Sequence, residues 1–441
     1  MTRPGKRLAV VGGGMLGMRV AERAAAAGRS VTLFESAPDL GGLASVWRLG
    51  DITWDKHYHV ILPSDVRTLG LLDELGLRDL LLWRSVPAGC AADGAVHPAT
   101  TPAQVLRLPF LGPVAKGRLG VTALRAAALR DPLSVEDVPV LDWLRRWSGD
   151  QATERFWEPL LRSKLGANVE AASATFIATT LKRLLGARRH GGGTGDGFGF
   201  VTGGYATVLG ALATVMQARG VEVRLGEQVR SVRATHPGHD GTLTVETASG
   251  SHPQFDQVVV TAASPIAARL CPDLTEAERL RCTAVTYQGI VCLSLLLPRP
   301  LTDNYITYLT EPAPFTAVID MSALVGREQL GGHGLVYLPR YVRSDDPVLG
   351  SPEAELLDQF LPALERIYPT FHRDDVLASG LSRVRLVLPV PTLGYSRRLP
   401  PVVTSVPGLY LASSALITDG TLNVNETLSV ADGVLPRVLA A

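Results

Sequence analysis

The pattern that most constrains this fold lies near the N-terminus, where two apolar runs enclose a glycine-rich turn. The first run is Leu8 to Val11 and the second is Val31 to Phe34, and the alanine-rich stretch between them predicts a helix. The turn has a G-x-G-x-x-G pattern made by Gly12, Gly14 and Gly17. Glu35 follows at about the 20-residue spacing that a dinucleotide-binding βαβ unit requires. The chain is therefore predicted to begin with such a unit.

Each part of this pattern has a physical role. Gly12 makes the tight turn, Gly14 lets the backbone approach a pyrophosphate, and Gly17 lets the helix pack closely on the strand. The free N–H groups and the positive dipole end of the helix favour phosphate oxygens. Glu35 can accept hydrogen bonds from the adenosine ribose.

The residues after Glu35 indicate which dinucleotide is bound. Pro38 and the pair Gly41 and Gly42 resist the crossover helix that a nicotinamide-binding unit would form. The pair resembles the second fingerprint of the FAD superfamily that contains amine oxidases, phytoene desaturases and protoporphyrinogen oxidases. The resemblance implies FAD as the cofactor, with Gly41, Gly42 and Leu43 lining its channel.

Length and composition set the broad class. A chain of 441 residues, 46% hydrophobic and 19% charged, predicts a globular protein of about two domains. The net charge of +1 predicts no nucleic-acid partner. Four scattered cysteines predict reduced thiols, and we interpret the basic N-terminus and its apolar run as the first strand rather than a signal peptide. We expect a cytoplasmic protein.

The order of patterns along the chain predicts an α/β fold with a discontinuous Rossmann-type FAD-binding domain and an inserted α+β substrate domain. The FAD-binding domain is assigned to residues 1–65, 200–265 and 400–441, and the substrate domain to residues 66–199 and 266–399. Residues 66–190 are predicted to be mostly helical, and Gly289 to Pro298 to form a buried strand. This layout resembles that of the FAD superfamily.

The resemblance assigns further cofactor contacts. It implies that Met15 and Leu16 join the fingerprint glycines at the pyrophosphate, that the backbone of Val229 meets adenine, and that the turn around Ala263 returns to the cofactor. Ser414 stands where the superfamily commonly has an acid that bonds the ribityl chain. Asn425 and Glu426 open a last helix, which Pro436 is predicted to kink or end, and whose N–H groups are expected to face the flavin. The other interpretation of Asn425 is a helix N-cap.

His57 and His59 are the candidate catalytic residues. A strand predicted from Trp54 to Leu62 would place both on one face. Metal binding is disfavoured because no acid or cysteine is positioned nearby as a further ligand. UDP-galactopyranose mutases have a similar histidine-containing segment, and this resemblance implies a role beside the flavin. Histidines bonded at a domain junction are the alternative. Lys164 is a further candidate for substrate contact, although a solvated lysine is favoured.

Four cations interrupt the apolar stretch from Val105 to Leu129. They are Arg107, Lys116, Arg118 and Arg125. They suggest that residues 100–130 cap the entrance for an anionic, partly apolar substrate, or rest on a membrane surface. An ordinary helix pair with its arginines in solvent is favoured over both.

The function predicted from these patterns is that of an FAD-dependent oxidoreductase of the oxidase or desaturase type. A small-molecule substrate would pass a hydride to flavin N5. The alternative is a redox-neutral isomerase or sugar mutase that uses reduced FAD. A flavin-binding protein without catalysis is a third, less motivated class.

Overall fold

The computed structural model describes residues 6–190, 197–235, 241–418 and 421–440. Within these residues the strands are β1 (Arg7–Val11), β2 (Ser30–Phe34), β3 (Val46–Leu49), β4 (Ile52–Asp55), β5 (Leu81–Ser85), β6 (Ala88–Ala92), β7 (Ala95–Pro98), β8 (Gly197–Val201), β9 (Glu222–Arg224), β10 (Val229–Ala234), β11 (Leu243–Thr247), β12 (Gln254–Phe255), β13 (Gln257–Val260), β14 (Tyr287–Leu297), β15 (Ile306–Leu309), β16 (Ala317–Asp320), β17 (Gly334–Arg343), β18 (Ala378–Pro389) and β19 (Leu409–Leu411).

The α-helices of the same residues alternate with these strands and cluster between β7 and β8. They are α1 (Met15–Ala26), α2 (Val66–Glu74), α3 (Pro102–Val105), α4 (Pro113–Ala128), α5 (Val140–Ser148), α6 (Asp150–Ala152), α7 (Glu158–Leu165), α8 (Ala174–His190), α9 (Gly204–Ala218), α10 (Ser264–Leu270), α11 (Glu276–Thr283), α12 (Met321–Val325), α13 (Glu353–Ile367) and α14 (Val424–Ala440).

A five-stranded parallel sheet has the order β19-β13-β1-β2-β9. The alternation of β1 gives the sheet two buried faces. Leu8 and Val10 pack with apolar residues of α1, α9 and α14, whereas Ala9 and Val11 pack with residues of β10 and β11. The sheet and its βαβ start confirm the predicted Rossmann-type α/β fold.

A seven-stranded mixed sheet has the order β18-β14-β17-β16-β15-β6-β7. Strand β14, between β18 and β17, is buried at every residue, as its apolar run predicts. The only parallel pair among these described strands is β15 with β6. The strands of this sheet fall within the two stretches assigned to the substrate domain, while the residue boundaries of that assignment stay a prediction.

The predicted strand from Trp54 to Leu62 is wrong beyond Asp55, where β4 ends. Residues 56–60 have no regular secondary structure. Asp55 is held by two distant elements, because its Oδ1 accepts a hydrogen bond from Tyr205 N at 2.9 Å and its carbonyl accepts one from the Tyr337 hydroxyl at 2.6 Å. These contacts turn the chain out of the β3–β4 hairpin.

Two other element predictions need correction. The predicted helical stretch 66–190 is interrupted by β5, β6 and β7, of which β6 joins β15 from a distant part of the chain. The last helix begins at Val424 and continues past Pro436 to Ala440, so Pro436 does not end it. Among the described residues, no helix combines the length and the apolar character needed to cross a bilayer.

Candidate cofactor and substrate site

The three fingerprint glycines differ in how closely neighbouring atoms approach them. Gly12 has a φ of +113°, and a Cβ atom there would lie 2.5 Å from Thr261 Oγ1. A Cβ atom at Gly17 would overlap the carbonyl oxygen of Gly12. At Gly14 the nearest atom would be Gly42 Cα at 3.9 Å. Gly12 and Gly17 therefore hold the turn together, while Gly14 leaves space at the start of α1.

At the start of α1, the backbone N–H groups rather than the side chains are available to a ligand. Met15 and Leu16 are 5% and 6% exposed, and both side chains lie in the core. Gly14 precedes the helix without a side-chain cap, and the first turn has no acidic residue. The first turn therefore supplies no side chain of its own to compensate the positive end of the helix.

The glycine pair lies directly against the fingerprint loop. Gly41 N donates a hydrogen bond to Gly13 O at 2.8 Å. Gly41 and Gly42 have φ values of +112° and +58°, and a Cβ atom at Gly42 would lie 3.1 Å from Gly14 Cα. Leu43 is half-buried. The two segments predicted to contact one cofactor are thus brought together by the fold.

Glu35 lies beside the fingerprint loop, as predicted. Its Oε2 accepts a hydrogen bond from Gly13 N at 2.6 Å, and its Oε1 accepts one from Ala37 N at 2.8 Å. Its carbonyl accepts a hydrogen bond from Glu227 N at 2.9 Å. Because β10 begins two residues later at Val229, the segment assigned to adenine also lies near Glu35. The side chain of Val229 is buried, so an adenine contact would use its backbone.

The carboxyl ends of β1, β13 and β19 meet at the same edge of the parallel sheet. Thr261 Oγ1 donates to Val11 O at 3.0 Å, and Ala263 is the N-cap of α10. Ser264 Oγ and Ser413 Oγ are 3.1 Å apart, and the half-buried Ser414 follows. This is the edge at which open parallel sheets bind their ligands.

The start of α14 differs from the sequence interpretation. Asn423 Oδ1 accepts a hydrogen bond from Glu426 N at 3.0 Å, so Asn423 and not Asn425 caps the helix. The buried Asn425 instead accepts a hydrogen bond from Arg67 N at 2.9 Å, at the start of α2. Asn425 Nδ2 donates to Glu426 Oε1 at 3.0 Å. The contact of these two residues with a flavin stays a prediction.

These observations fit a dinucleotide of the FAD type. Two glycine loops form a cradle that Cβ atoms would fill, an uncapped helix start faces it, and one carboxylate lies at its rim. The pyrophosphate fits the helix start, and the ribose fits Glu35.

The two candidate histidines point to different elements. His57 is buried, and its Nε2 is 3.1 Å from Ser382 Oγ on β18. Burial, assisted by the charges of His59 and Lys56, lowers the pKa of His57 to about 3. The His59 ring centroid is 4.9 Å from that of Tyr205, and its Nδ1 is 3.7 Å from Asp55 Oδ2. The expected shared strand face is therefore wrong, while catalytic roles for His57 and His59 stay predictions.

Lys164 is half-buried rather than solvated. Its Nζ lies 5.8 Å from the ring centroid of Tyr341, and burial lowers its pKa to about 8. The Tyr341 hydroxyl is 3.2 Å from that of Tyr58. No local pattern singles out Tyr341, since β17 meets this segment only through tertiary packing. The favoured interpretation of a solvated lysine is wrong.

Two of the cations in residues 100–130 contact helix α5. Arg118 donates to the carbonyls of Arg146 and Trp147 at 2.8 and 3.2 Å, at the end of α5, and Arg125 lies 5.1 Å over the Trp147 ring. Arg118 is half-buried against α5, whereas Arg125 is exposed and stacks on the Trp147 ring. Val114 and Leu124 on α4 are 75% and 72% exposed, so an apolar outer face accompanies the cations. A role at the substrate entrance stays a prediction.

A small apolar cavity lies between α8, the end of β18 and the segment before α14, and its accessible volume of about 10 Å³ has room for roughly one water molecule. Phe176, Leu388 and Leu422 are among its lining residues. The cavity therefore connects the helical region and the seven-stranded sheet to the C-terminal stretch assigned to the cofactor.

The sequence profile of the flavin containing amine oxidoreductases matches residues 17–424. Protoporphyrinogen oxidase 2, chloroplastic/mitochondrial, of Arabidopsis thaliana is 40% identical over 76 residues, which are 17% of this chain and only 15% of that protein. Carotenoid phi-ring synthase of Streptomyces griseus is 25% identical over 448 aligned positions, covering 93% of this chain and 83% of that protein.

Solved structures share the fold over almost the whole chain. A candidate protoporphyrinogen oxidase from Exiguobacterium sp. 255-15 has a TM-score of 0.78 at 21% identity, covering 99% of both chains. Reduced UDP-galactopyranose mutase has a TM-score of 0.75 at 16% identity, covering 99% of this chain and 96% of the other. The family profile and these folds confirm the superfamily, and with it the predictions of an FAD cofactor and an oxidoreductase.

Proposed function

Because the chain belongs to the flavin-containing amine oxidoreductase family, we propose that it is an FAD-dependent oxidase or desaturase that removes a hydride from a small organic substrate. The observation that carries the proposal is the backbone contact between the two glycine loops, in which Gly41 N bonds Gly13 O at 2.8 Å. This contact joins the pyrophosphate-type loop to the segment that leads into the β3–β4 hairpin and the two histidines.

The bound flavin supplies hydride acceptance, and the protein supplies binding, orientation and electrostatics. The free N–H groups at the start of α1 would hold the pyrophosphate, and Glu35 would accept hydrogen bonds from the ribose. The positive end of α14 would favour negative charge beside it.

The environments of the two histidines favour different roles. A buried imidazole with a pKa near 3 is neutral at physiological pH, so His57 suits a fixed hydrogen bond to Ser382 better than proton transfer. His59 is less buried and lies near the Asp55 carboxylate, which suits an imidazole that exchanges a proton with the substrate. We therefore favour His59 as the acid–base residue and His57 as a positioning residue.

The second candidate function is a redox-neutral isomerase or mutase that needs reduced FAD. It is favoured by Ser414 at the position of the usual ribityl-binding acid and by the fold shared with UDP-galactopyranose mutase.

Anaerobic mixing of the oxidised holoprotein with fractionated metabolites of its host separates the two functions. An oxidase or desaturase is bleached by its substrate without added reductant, and the bleaching fraction yields an oxidised product. Turnover that appears only after chemical reduction, with no net change in the redox state of the substrate, would contradict the proposal and support the second function.

A further inference from the structure

Lys164 lies on α7 with its ammonium group against aromatic rather than acidic side chains. The Nζ atom is 5.8 Å from the ring centroid of Tyr341 on β17. The backbone carbonyl of Lys164 accepts a hydrogen bond from Gln288 Nε2 at 3.4 Å. Gln288 in turn pairs with Leu388 of β18, so α7 is tied to the seven-stranded sheet beside Lys164.

Two phenol groups complete the polar surface beside this ammonium. The hydroxyls of Tyr341 and Tyr58 are 3.2 Å apart, and the Tyr58 ring centroid is 6.2 Å from that of Tyr337. Burial raises the pKa values of Tyr58 and Tyr341, so both phenols stay protonated and one of them retains a proton to donate outward. Tyr58 belongs to the same segment as the two histidines.

Within the described part of the chain, the ammonium of Lys164 has no carboxylate as a counter-ion. Among the residues that the structure describes, no carboxylate lies within 4.0 Å of Lys164 Nζ. The charged group that affects Lys164 is Arg183, which lowers its pKa and is itself paired with Asp65 at 2.9 Å. A half-buried positive charge without a counter-ion is costly, and an anion bound from outside would remove that cost.

We propose that Lys164, Tyr341 and Tyr58 form a binding site for an anionic group of the substrate, a carboxylate or a phosphate. The proposal rests on the proposed function, because it assigns an anionic, partly apolar substrate class to the same enzyme. The ammonium would pair with the anion, a phenol would donate to a second oxygen, and the neighbouring rings of Tyr341 and Tyr58 would contact the apolar part of the substrate.

The site can be probed with simple aromatic ligands on the purified holoprotein. Benzoate and phenyl phosphate represent the two anions, and benzamide is the neutral control. We expect at least one of the anions to raise the melting temperature and perturb the flavin absorbance, and benzamide to do neither. The stronger of the two anions identifies the group.

Substitutions then assign the effect to Lys164. Lys164→Met should weaken anion binding at least tenfold, Lys164→Arg should retain most of it, and Tyr341→Phe should have an intermediate effect. Arg162→Met is the matched control, because Arg162 lies on the same helix but is exposed and paired with Glu158 at 2.8 Å. Without anion, Lys164→Met should melt at or above the wild-type temperature, since it removes an unpaired charge.

The pH dependence is a further readout. Anion affinity should fall as the pH rises through about 8, where Lys164 loses its proton in the free enzyme. The facing groups are Arg183 from α8, Tyr341 from β17 and Tyr58. Burial raises the pKa values of the two tyrosines, so both should stay neutral in that range.

Unchanged anion affinity in Lys164→Met, or no response of the wild type to either anion, would overturn the site. Failure of the proposed function would be separate, because it would appear as absent substrate-driven flavin reduction while anion-dependent stabilisation persists.

Discussion

At Gly17 a side chain would overlap the carbonyl oxygen of Gly12, whereas at Gly14 the nearest atom would be 3.9 Å away. The glycines of this motif therefore have different roles. The packing of the protein itself requires Gly12 and Gly17, whereas the approach of the cofactor to the helix requires Gly14. This distinction makes protein stability and cofactor retention separable by substitution.

Gly17→Ala should unfold the protein or lower its melting temperature strongly. The added methyl group would overlap the Gly12 carbonyl oxygen, and neither the strand nor the turn can move away from it. Gly14→Ala should leave the melting temperature of the apoprotein nearly unchanged and lower FAD retention, because its methyl group occupies the approach to the helix start. Thermal melts of both apoproteins and the flavin content of both purified proteins check this. Equal effects of the two substitutions on stability would contradict the assignment.

Glu35→Ala should weaken FAD binding by about 1.5–3 kcal/mol, the scale of a hydrogen bond to a charged group. Glu35→Gln, which keeps an acceptor oxygen, should lose less. The dissociation constant of FAD, measured by reconstitution of the apoprotein, tests both expectations. An unchanged constant in Glu35→Ala would mean that Glu35 serves only the loop contacts to Gly13 and Ala37.

The two histidines should separate in kinetics and in pH dependence. His59→Asn should lower kcat/KM by about 10²-fold with FAD still bound, whereas His57→Asn should cost much less. Because the pKa of His57 falls from 6.5 in the unfolded chain to about 3 in the fold, its neutral form stabilises the fold above pH 6.5. That stability is lost as the pH drops from 6.5 towards 3, by at most about 1.4 kcal/mol per pH unit.

The structural role of His57 is tested by measuring the free energy of unfolding against pH for the wild type and for His57→Asn. The wild-type curve should fall more steeply between pH 6 and pH 4, a window inside the shift of the His57 pKa from 6.5 to about 3. Parallel curves, or a larger kinetic loss in His57→Asn than in His59→Asn, would reverse the assigned roles.

At the scale of elements, a regular apolar spacing predicts an element even where distant strands complete its packing. The start of the helical stretch at α2 and the buried strand β14 both follow from such spacing. The segment after Asp55 does not, because Tyr205 and Tyr337 hold that residue from far along the chain. Strands β5 and β6 depend on pairing rather than on a local pattern, because β5 pairs with β8 and the alanine-rich β6 pairs with β15 and β7.

Helix α4 is attached to α5 through Arg118, whose guanidinium bonds two carbonyls at the negative end of α5. Arg118→Ala should therefore lower the free energy of unfolding by about 1–2 kcal/mol. Arg107→Ala is the control, because Arg107 is exposed and should change stability by less than about 0.5 kcal/mol. Chemical denaturation curves provide the comparison. An unchanged stability in Arg118→Ala, combined with altered substrate KM, would return this arginine to the substrate entrance.

At the scale of the whole molecule, the cofactor half was readable from sequence and the substrate half was not. The fingerprint, Glu35 and the glycine pair are fixed by short-range chemistry, so their spacing alone predicts their positions. Lys164 on α7, Tyr58 after β4 and Tyr341 on β17 meet only because three distant segments pack together. The five-stranded sheet likewise collects strands from the N-terminal, middle and C-terminal stretches, as the superfamily layout implies.

The cofactor distinguishes this enzyme from a nicotinamide-binding protein, and denaturing the purified protein identifies what it releases. We expect a yellow protein that releases FAD, non-covalently bound and equimolar with the chain, and that regains its absorbance when FAD is added back. A colourless protein that cannot be reconstituted with FAD but binds NAD would contradict it.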